Sequence, residues 1–89
     1  MGPMGPSGVG NLYVATARYV DWAAGNGWVE CNTADGWFAI GGGAYLEDGS
    51  QPKNLHTSAP FGNTSGKPSG WIAGYGSKAT YTVFAICTK

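Results

Sequence analysis

The sequence predicts an all-β domain, a small antiparallel β-sandwich of jelly-roll or Greek-key type, and three observations lead there. Short runs rich in Val, Ile, Thr, Tyr, Phe and Trp alternate with Gly, Asn, Asp and Pro clusters at near-even spacing. The last run places Ala79, Tyr81, Val83, Ala85 and Cys87 on one face and Thr80, Thr82, Phe84, Ile86 and Thr88 on the other, with apolar residues in both sets. Such a strand is expected to be covered on both faces, as inside a sandwich or a trimer. No stretch carries the period of a long amphipathic helix, and Asp21–Ala24 has room for one turn.

Along the chain, residues 2–10 read Gly2-Pro3-Met4, Gly5-Pro6-Ser7, Gly8-Val9-Gly10. Glycine at every third position, followed twice by proline, is the collagen period, because only glycine fits at the crowded axis of three wound chains. A flexible linker is the alternative. Three triplets cannot hold a triple helix alone, so the collagen reading requires another element that keeps three chains in register. The expected division is residues 1–10 as the end of a collagen-like stem, with Gly2, Gly5 and Gly8 at its axis, and residues 11–89 as a C-terminal sandwich head.

Within the head, Asn11–Val20 is expected to be a strand, Gly25-Asn26-Gly27 a turn and Trp28–Cys31 a short strand. Asp35-Gly36 is a turn signal, followed by a strand from Trp37 to Ile40 that runs through Gly41-Gly42-Gly43 into Ala44-Tyr45-Leu46. Asp48-Gly49 marks the next turn and Asn54–Ser58 a further strand; residues 60–70, rich in Pro and Gly, read as a long loop. Trp71–Tyr75 and Ala79–Thr88 close the domain.

Five basic and five acidic residues among 89 leave a formal charge of zero. Nucleic acid binding draws on clustered Lys and Arg that release counterions, and no such cluster exists, so no nucleic acid partner is expected. No apolar run approaches the roughly 20 residues that span a bilayer, so no membrane insertion is expected either. With only 11% charged residues, a neutral monomer would be prone to associate. That composition suits a secreted or virion surface, or one buried in an oligomer. The N-terminus lacks a basic-then-apolar signal pattern, which leads us to expect a mature segment or export by another route such as virion assembly and lysis.

Cys31 and Cys87 are the only cysteines, and they lack the Cys-x-x-Cys spacing of zinc and redox sites. His56 alone cannot complete a metal site with them, so no metal or cofactor is expected. A single disulfide is the preferred reading, with two buried free thiols as the alternative. Closing a loop of 56 residues would stabilise by about 4 kcal/mol in the chain-entropy model. That is a large share for a domain too small to rely on its core alone.

From Cys31 to Cys87 the chain carries a strand entering Gly41-Gly42-Gly43-Ala44, the loop Ser58-Ala59-Pro60, then Gly70-Trp71 and Ala85-Ile86-Cys87. Over about two thirds of its length it thereby resembles a small extracellular domain of actinobacterial secreted proteins and phage tail proteins. One departure is the turn after the first cysteine, usually Cys-Pro-x-Gly in that family and here the longer Cys31-Asn32-Thr33-Ala34-Asp35-Gly36. The resemblance implies paired cysteines, a β-sandwich and no catalytic activity. Collagen-like triplets ahead of a compact terminal domain also resemble the stems and tips of phage tail fibres, in which the terminal domain sets trimer register and often contacts the host. The implied function is therefore a homotrimeric fibre head that binds a cell-surface glycan or protein receptor, extracellularly or on a virion. A purely structural trimerisation cap and a monomeric secreted β-domain are the alternatives.

Three consecutive glycines in a strand imply a bulge or a close approach, either by an aromatic ring laid on the backbone or by a neighbouring subunit. A phosphate-cradling loop would need a following helix and a Lys, and has neither. Trp37 and Trp71, at strand starts, are expected in the core, and Trp22 and Trp28 at an exposed or intersubunit position. Tyr45 and Tyr75 lie next to glycines and are candidates for stacking on a sugar. With Asp48, Gln51, Asn54, His56 and Asn63 they make up the candidate receptor-binding residues, ordinary solvated loops being the alternative. His56 is the single histidine; three copies meeting on a threefold axis would offer a metal site, which is not the preferred reading. Asn63-Thr64-Ser65 matches the N-glycosylation pattern. Nucleophilic catalysis needs a base with an orienting partner, which the single histidine lacks. No pairing of Asp21, Glu30, Asp35, Glu47 and Asp48 for glycoside hydrolysis can be inferred. The chain is not expected to be an enzyme.

Overall fold

A computed structural model describes residues 11–47 and 55–89. The collagen-like residues 1–10, with Gly2, Gly5 and Gly8, and the turn at Asp48-Gly49 lie outside the described residues.

Among the described residues the fold is all-β, as expected, with six strands: β1 (Leu12–Trp22), β2 (Gly25–Glu30), β3 (Phe38–Leu46), β4 (Leu55–Phe61), β5 (Gly70–Tyr75) and β6 (Ala79–Thr88). A single 3-10 turn, Thr33–Asp35, separates β2 from β3 and ends at Gly36 in the left-handed region (φ 91°). The strands form two antiparallel sheets of order β1-β6-β3 and β2-β5-β4. The first strand pairs with the last and the second with the last but one, each in the other sheet from its neighbour in sequence. This nested wrapping is that of a jelly roll.

The two sheets face each other across one core. Tyr81, Val83, Ala85 and Cys87 of β6 point into it, joined by Ala39, Val29, Ala73 and Tyr75. The opposite face of β6 is only partly covered: Thr82 and Thr88 are buried, whereas Thr80, Phe84 and Ile86 are intermediate. Cys31, just past β2, is disulfide-bonded to Cys87 on the central strand of the other sheet, with the α-carbons 5.9 Å apart. The bond therefore joins the two sheets. Two tyrosines of β1 add polar ties across the same gap. Tyr13 Oη accepts the Asn32 N–H at 2.8 Å, and Tyr19 Oη accepts the Trp28 N–H at 2.9 Å while donating to the Trp28 carbonyl at 2.7 Å.

Three expectations are corrected. Gly25-Asn26-Gly27 is the first half of β2, not a turn, because Gly27 serves a side-chain approach: a Cβ there would lie 2.6 Å from Tyr19 Cε1. Asp21–Ala24 forms no helical turn; β1 runs on to Trp22 through a bulge with Asp21 at φ 48°. The strand expected at Asn54–Ser58 continues to Phe61 through Pro60, which shortens the loop to residues 62–69. Proline is tolerated there because β4 is the edge of its sheet.

Candidate functional site

The glycine triplet organises the structure on both sides of β3. Gly42 faces the core, where the Trp71 indole lies so close that a Cβ would overlap Trp71 Cγ. Gly41 and Gly43 face outward, opposite Ile86 and Phe84 of β6. The Phe84 ring lies on Gly43, with Cζ 3.1 Å from where a Cβ would stand. The rings laid on the glycines thus belong to the chain itself. Trp71 also donates from Nε1 to Ser58 Oγ at 3.0 Å, which links β5 to the edge strand β4.

This arrangement leaves the outer face of the β1-β6-β3 sheet apolar. Its cross-strand rows are Leu12, Thr88 and Phe38; then Val14, Ile86 and Gly41; then Thr16, Phe84 and Gly43; then Arg18, Thr82 and Tyr45. Ile40 stands out at the bulge between Ala39 and Gly41, and Val20 extends the β1 column. Leu12, Val14, Val20, Ile40 and Tyr45 are each more than half exposed. Arg18 donates to Glu47 at 2.9 Å and Thr82 also donates to Glu47, so the charges at this face are paired. These two donors, Thr82 first, hold the Glu47 carboxyl below its ordinary value.

A separate cleft of about 210 Å³ opens at the end of the sandwich where β1 begins. Thr33, Gly36, Trp37 and Phe38 form one wall, and Thr64, Ser65 and Lys67 the other. Backbone hydrogen bonds fix both. Gly36 N–H donates to Thr33 O and Trp37 N–H to Asn32 O; Thr64 and Lys67 exchange two bonds across a tight turn, in which Asn63 Oδ1 accepts the Gly66 N–H at 2.8 Å. The Ala39 N–H reaches the Pro68 carbonyl at 2.9 Å and holds the two walls together. Lys67 Nζ sits 4.4 Å from the centre of the Phe38 ring, and Lys89 Nζ 5.3 Å from that of Trp37, an attractive geometry for a cation over an aromatic face.

The sequence-derived candidates are scattered relative to these features. Tyr45 is exposed on the apolar face, its ring 6.3 Å from that of Phe84. His56 is exposed on β4, with Nδ1 2.9 Å from Thr57 Oγ1. Asn63 is exposed in the turn beside the cleft, at the opposite end of β4 from His56. Tyr75 is removed from the set: it is 5% exposed, and its ring packs 4.9 Å from that of Tyr81, out of reach of a stacking ligand. Asp48, Gln51 and Asn54 lie outside the described residues. Trp37 and Trp71 pack against the core as expected, while Trp22 and Trp28 are exposed. Among the described residues, no three His, Cys, Asp or Glu side chains gather to hold a metal, and no helix is long and apolar enough to cross a membrane.

The cleft was not among the expected sites, whereas the apolar face was anticipated in part, by the apolar residues on both faces of β6 and by Tyr45. The face carried a signal, since β1 alternates Leu12, Val14 and Val20 against Tyr13, Ala15, Ala17 and Tyr19, apolar residues on both sides. Comparison of the chain with known protein families, curated proteins and solved structures returns no match.

Proposed function

We propose that this chain is the head of a collagen-like fibre, of phage tail-fibre or adhesin type, that joins three copies and presents a surface to a receptor on a host cell. It acts without catalysis, outside the cell or on a virion. The observation that carries this reading is the apolar outer face of the β1-β6-β3 sheet. A monomer seldom leaves that many large apolar side chains together in water unless the patch is functional. The occupant that fits is a second and third copy of the same face. Residues 2–10 carry the glycine period of three wound chains and lead within one residue into β1. Chains wound on one axis reach residue 11 side by side, and the surface they then share includes the Leu12 and Val14 rows. Pairing of Arg18 with Glu47 removes the charge repulsion that like faces would otherwise meet.

Light scattering on the full chain tests the reading. A mass near three times 9.2 kDa is expected, falling to a single chain with unchanged circular dichroism in Val14→Lys, which puts a charge on the β1 side of the face, next to Ile86. Trp28→Ser, on the outer face of the other sheet, leaves the trimer intact. A wild-type mass of one chain, or a Val14→Lys trimer, overturns the proposal.

A further inference from the structure

We propose that the cleft between the Thr33–Phe38 segment and the Thr64–Lys67 turn is a binding site for an acidic saccharide, a pyranose unit carrying a carboxylate. This rests on the receptor-binding half of the reading above and is independent of trimerisation, because one chain supplies both walls.

Three features specify the ligand. The first is size: about 210 Å³ of open space is small beside pockets for drug-sized ligands and suits a ligand no larger than about one sugar ring. The second is the lining. Phe38 offers the apolar side of a pyranose the face that the Lys67 ammonium would vacate, Trp37 lines the cleft beside it with its ring packed 4.6 Å from that of Tyr13, and Thr33 and Ser65 offer hydroxyls to the sugar's edge. Neither hydroxyl has a hydrogen-bond partner among the described residues, whereas the neighbouring Thr64 hydroxyl is held by Ser69 at 2.8 Å. The third is charge. Lys67, the one cationic residue in the lining, lies over Phe38 without a carboxylate partner among the described residues, where the one ion pair joins Arg18 to Glu47. The nearby Asp35 carboxylate accepts from Asn32 Nδ2 at 2.8 Å and lies outside the lining of the cleft. A ligand carboxylate supplies the anion that Lys67 lacks and gives a charge-assisted bond stronger than the cation–ring contact it replaces. Because hydrogen bonds fix the walls beforehand, binding does not have to order them.

The test is a ¹H–¹⁵N titration of the full chain with glucuronate, and in parallel with glucose. Glucuronate is expected to bind with a Kd on the order of millimolar, shifting the Phe38, Ser65 and Lys67 amides, and glucose at least tenfold more weakly. Lys67→Gln, which keeps the fold, should abolish that preference, and raised salt should reduce it. No shift with glucuronate, shifts that map elsewhere, equal binding of both sugars, or a preference that survives Lys67→Gln each overturns the assignment. Light scattering on the same samples separates the two readings. A single chain that still prefers glucuronate refutes the trimer alone, and a trimer that ignores it refutes the saccharide site alone.

Discussion

The indole of Trp71 lies against the α-carbon of Gly42, in contact across the two sheets and with no room for a methyl group between them. The backbone on the far side is equally close, since a Cβ on Gly42 would also meet the Phe84 carbonyl oxygen. Overpacking against backbone cannot be relieved by a rotamer change. Gly42→Ala is therefore expected to destabilise by about 3 kcal/mol. Gly41→Ala, where the nearest atom would be Ile86 Cδ1 at an ordinary 3.7 Å, should change stability by less than about 1 kcal/mol. Urea denaturation of the two variants checks the contrast.

The glycine triplet was legible as a place of close approach, and the reason shows what a sequence can convey. Consecutive glycines inside a β-rich run have few causes, and an abundance of tryptophan supplies one. Strand β6 was legible through its run of β-branched and aromatic residues. Gly25-Asn26-Gly27 misled because glycine and asparagine signal a turn locally, whereas Gly27 answers to Tyr19, eight residues away on another strand. Tyr75 misled for a related reason: the adjacent Gly74 suggested open space but instead lets the strand pack against Gly25 and Asn26. The cleft had no local signal at all. Its walls are some 30 residues apart in sequence and are brought together by the Ala39–Pro68 backbone bond and the Lys67–Phe38 contact.

Tyr19 and Tyr81 stack with ring centres 5.6 Å apart, yet their hydroxyls have opposite fates. Tyr19 Oη satisfies both polar groups of Trp28 on the edge strand β2, while Tyr81 Oη is buried with no hydrogen-bond partner among the described residues. Tyr19→Phe is expected to lower stability by about 1–2 kcal/mol. Tyr81→Phe removes a buried hydroxyl that gains nothing, and should leave stability unchanged or raise it by up to about 1 kcal/mol. Thermal melts should show a lowered midpoint for Tyr19→Phe and no lowering for Tyr81→Phe.

The Cys31–Cys87 bond closes a sequence separation of 56 residues and joins the two sheets. Its loss should remove about 4 kcal/mol, most of the stability available to a domain this small, for which about 5 kcal/mol is typical. The double variant Cys31→Ala, Cys87→Ala is expected to populate unfolded chain at 37 °C. Wild type in reducing agent should behave alike, as read by near-ultraviolet circular dichroism.

The fold shifts three ionisable groups among the described residues. Thr82 and Arg18 hold the Glu47 carboxyl below its ordinary 4.5, so its contribution is present above that value and is lost as pH falls through the depressed one. Burial pushes the Tyr75 phenol up from 10.0; burial, then Tyr19 and Tyr75, do the same for Tyr81. The folded chain keeps those protons at a pH where the unfolded chain gives them up, so stability present below 10 is lost above it. Unfolding free energy is thus expected to be flat from about pH 5 to 9 and to fall on both sides. Glu47→Gln should flatten the acid limb alone. Tyr81→Phe should flatten the alkaline limb, with less tyrosinate absorbance appearing at the unfolding transition. An alkaline limb that keeps its slope in Tyr81→Phe would show that the buried phenol does not control it.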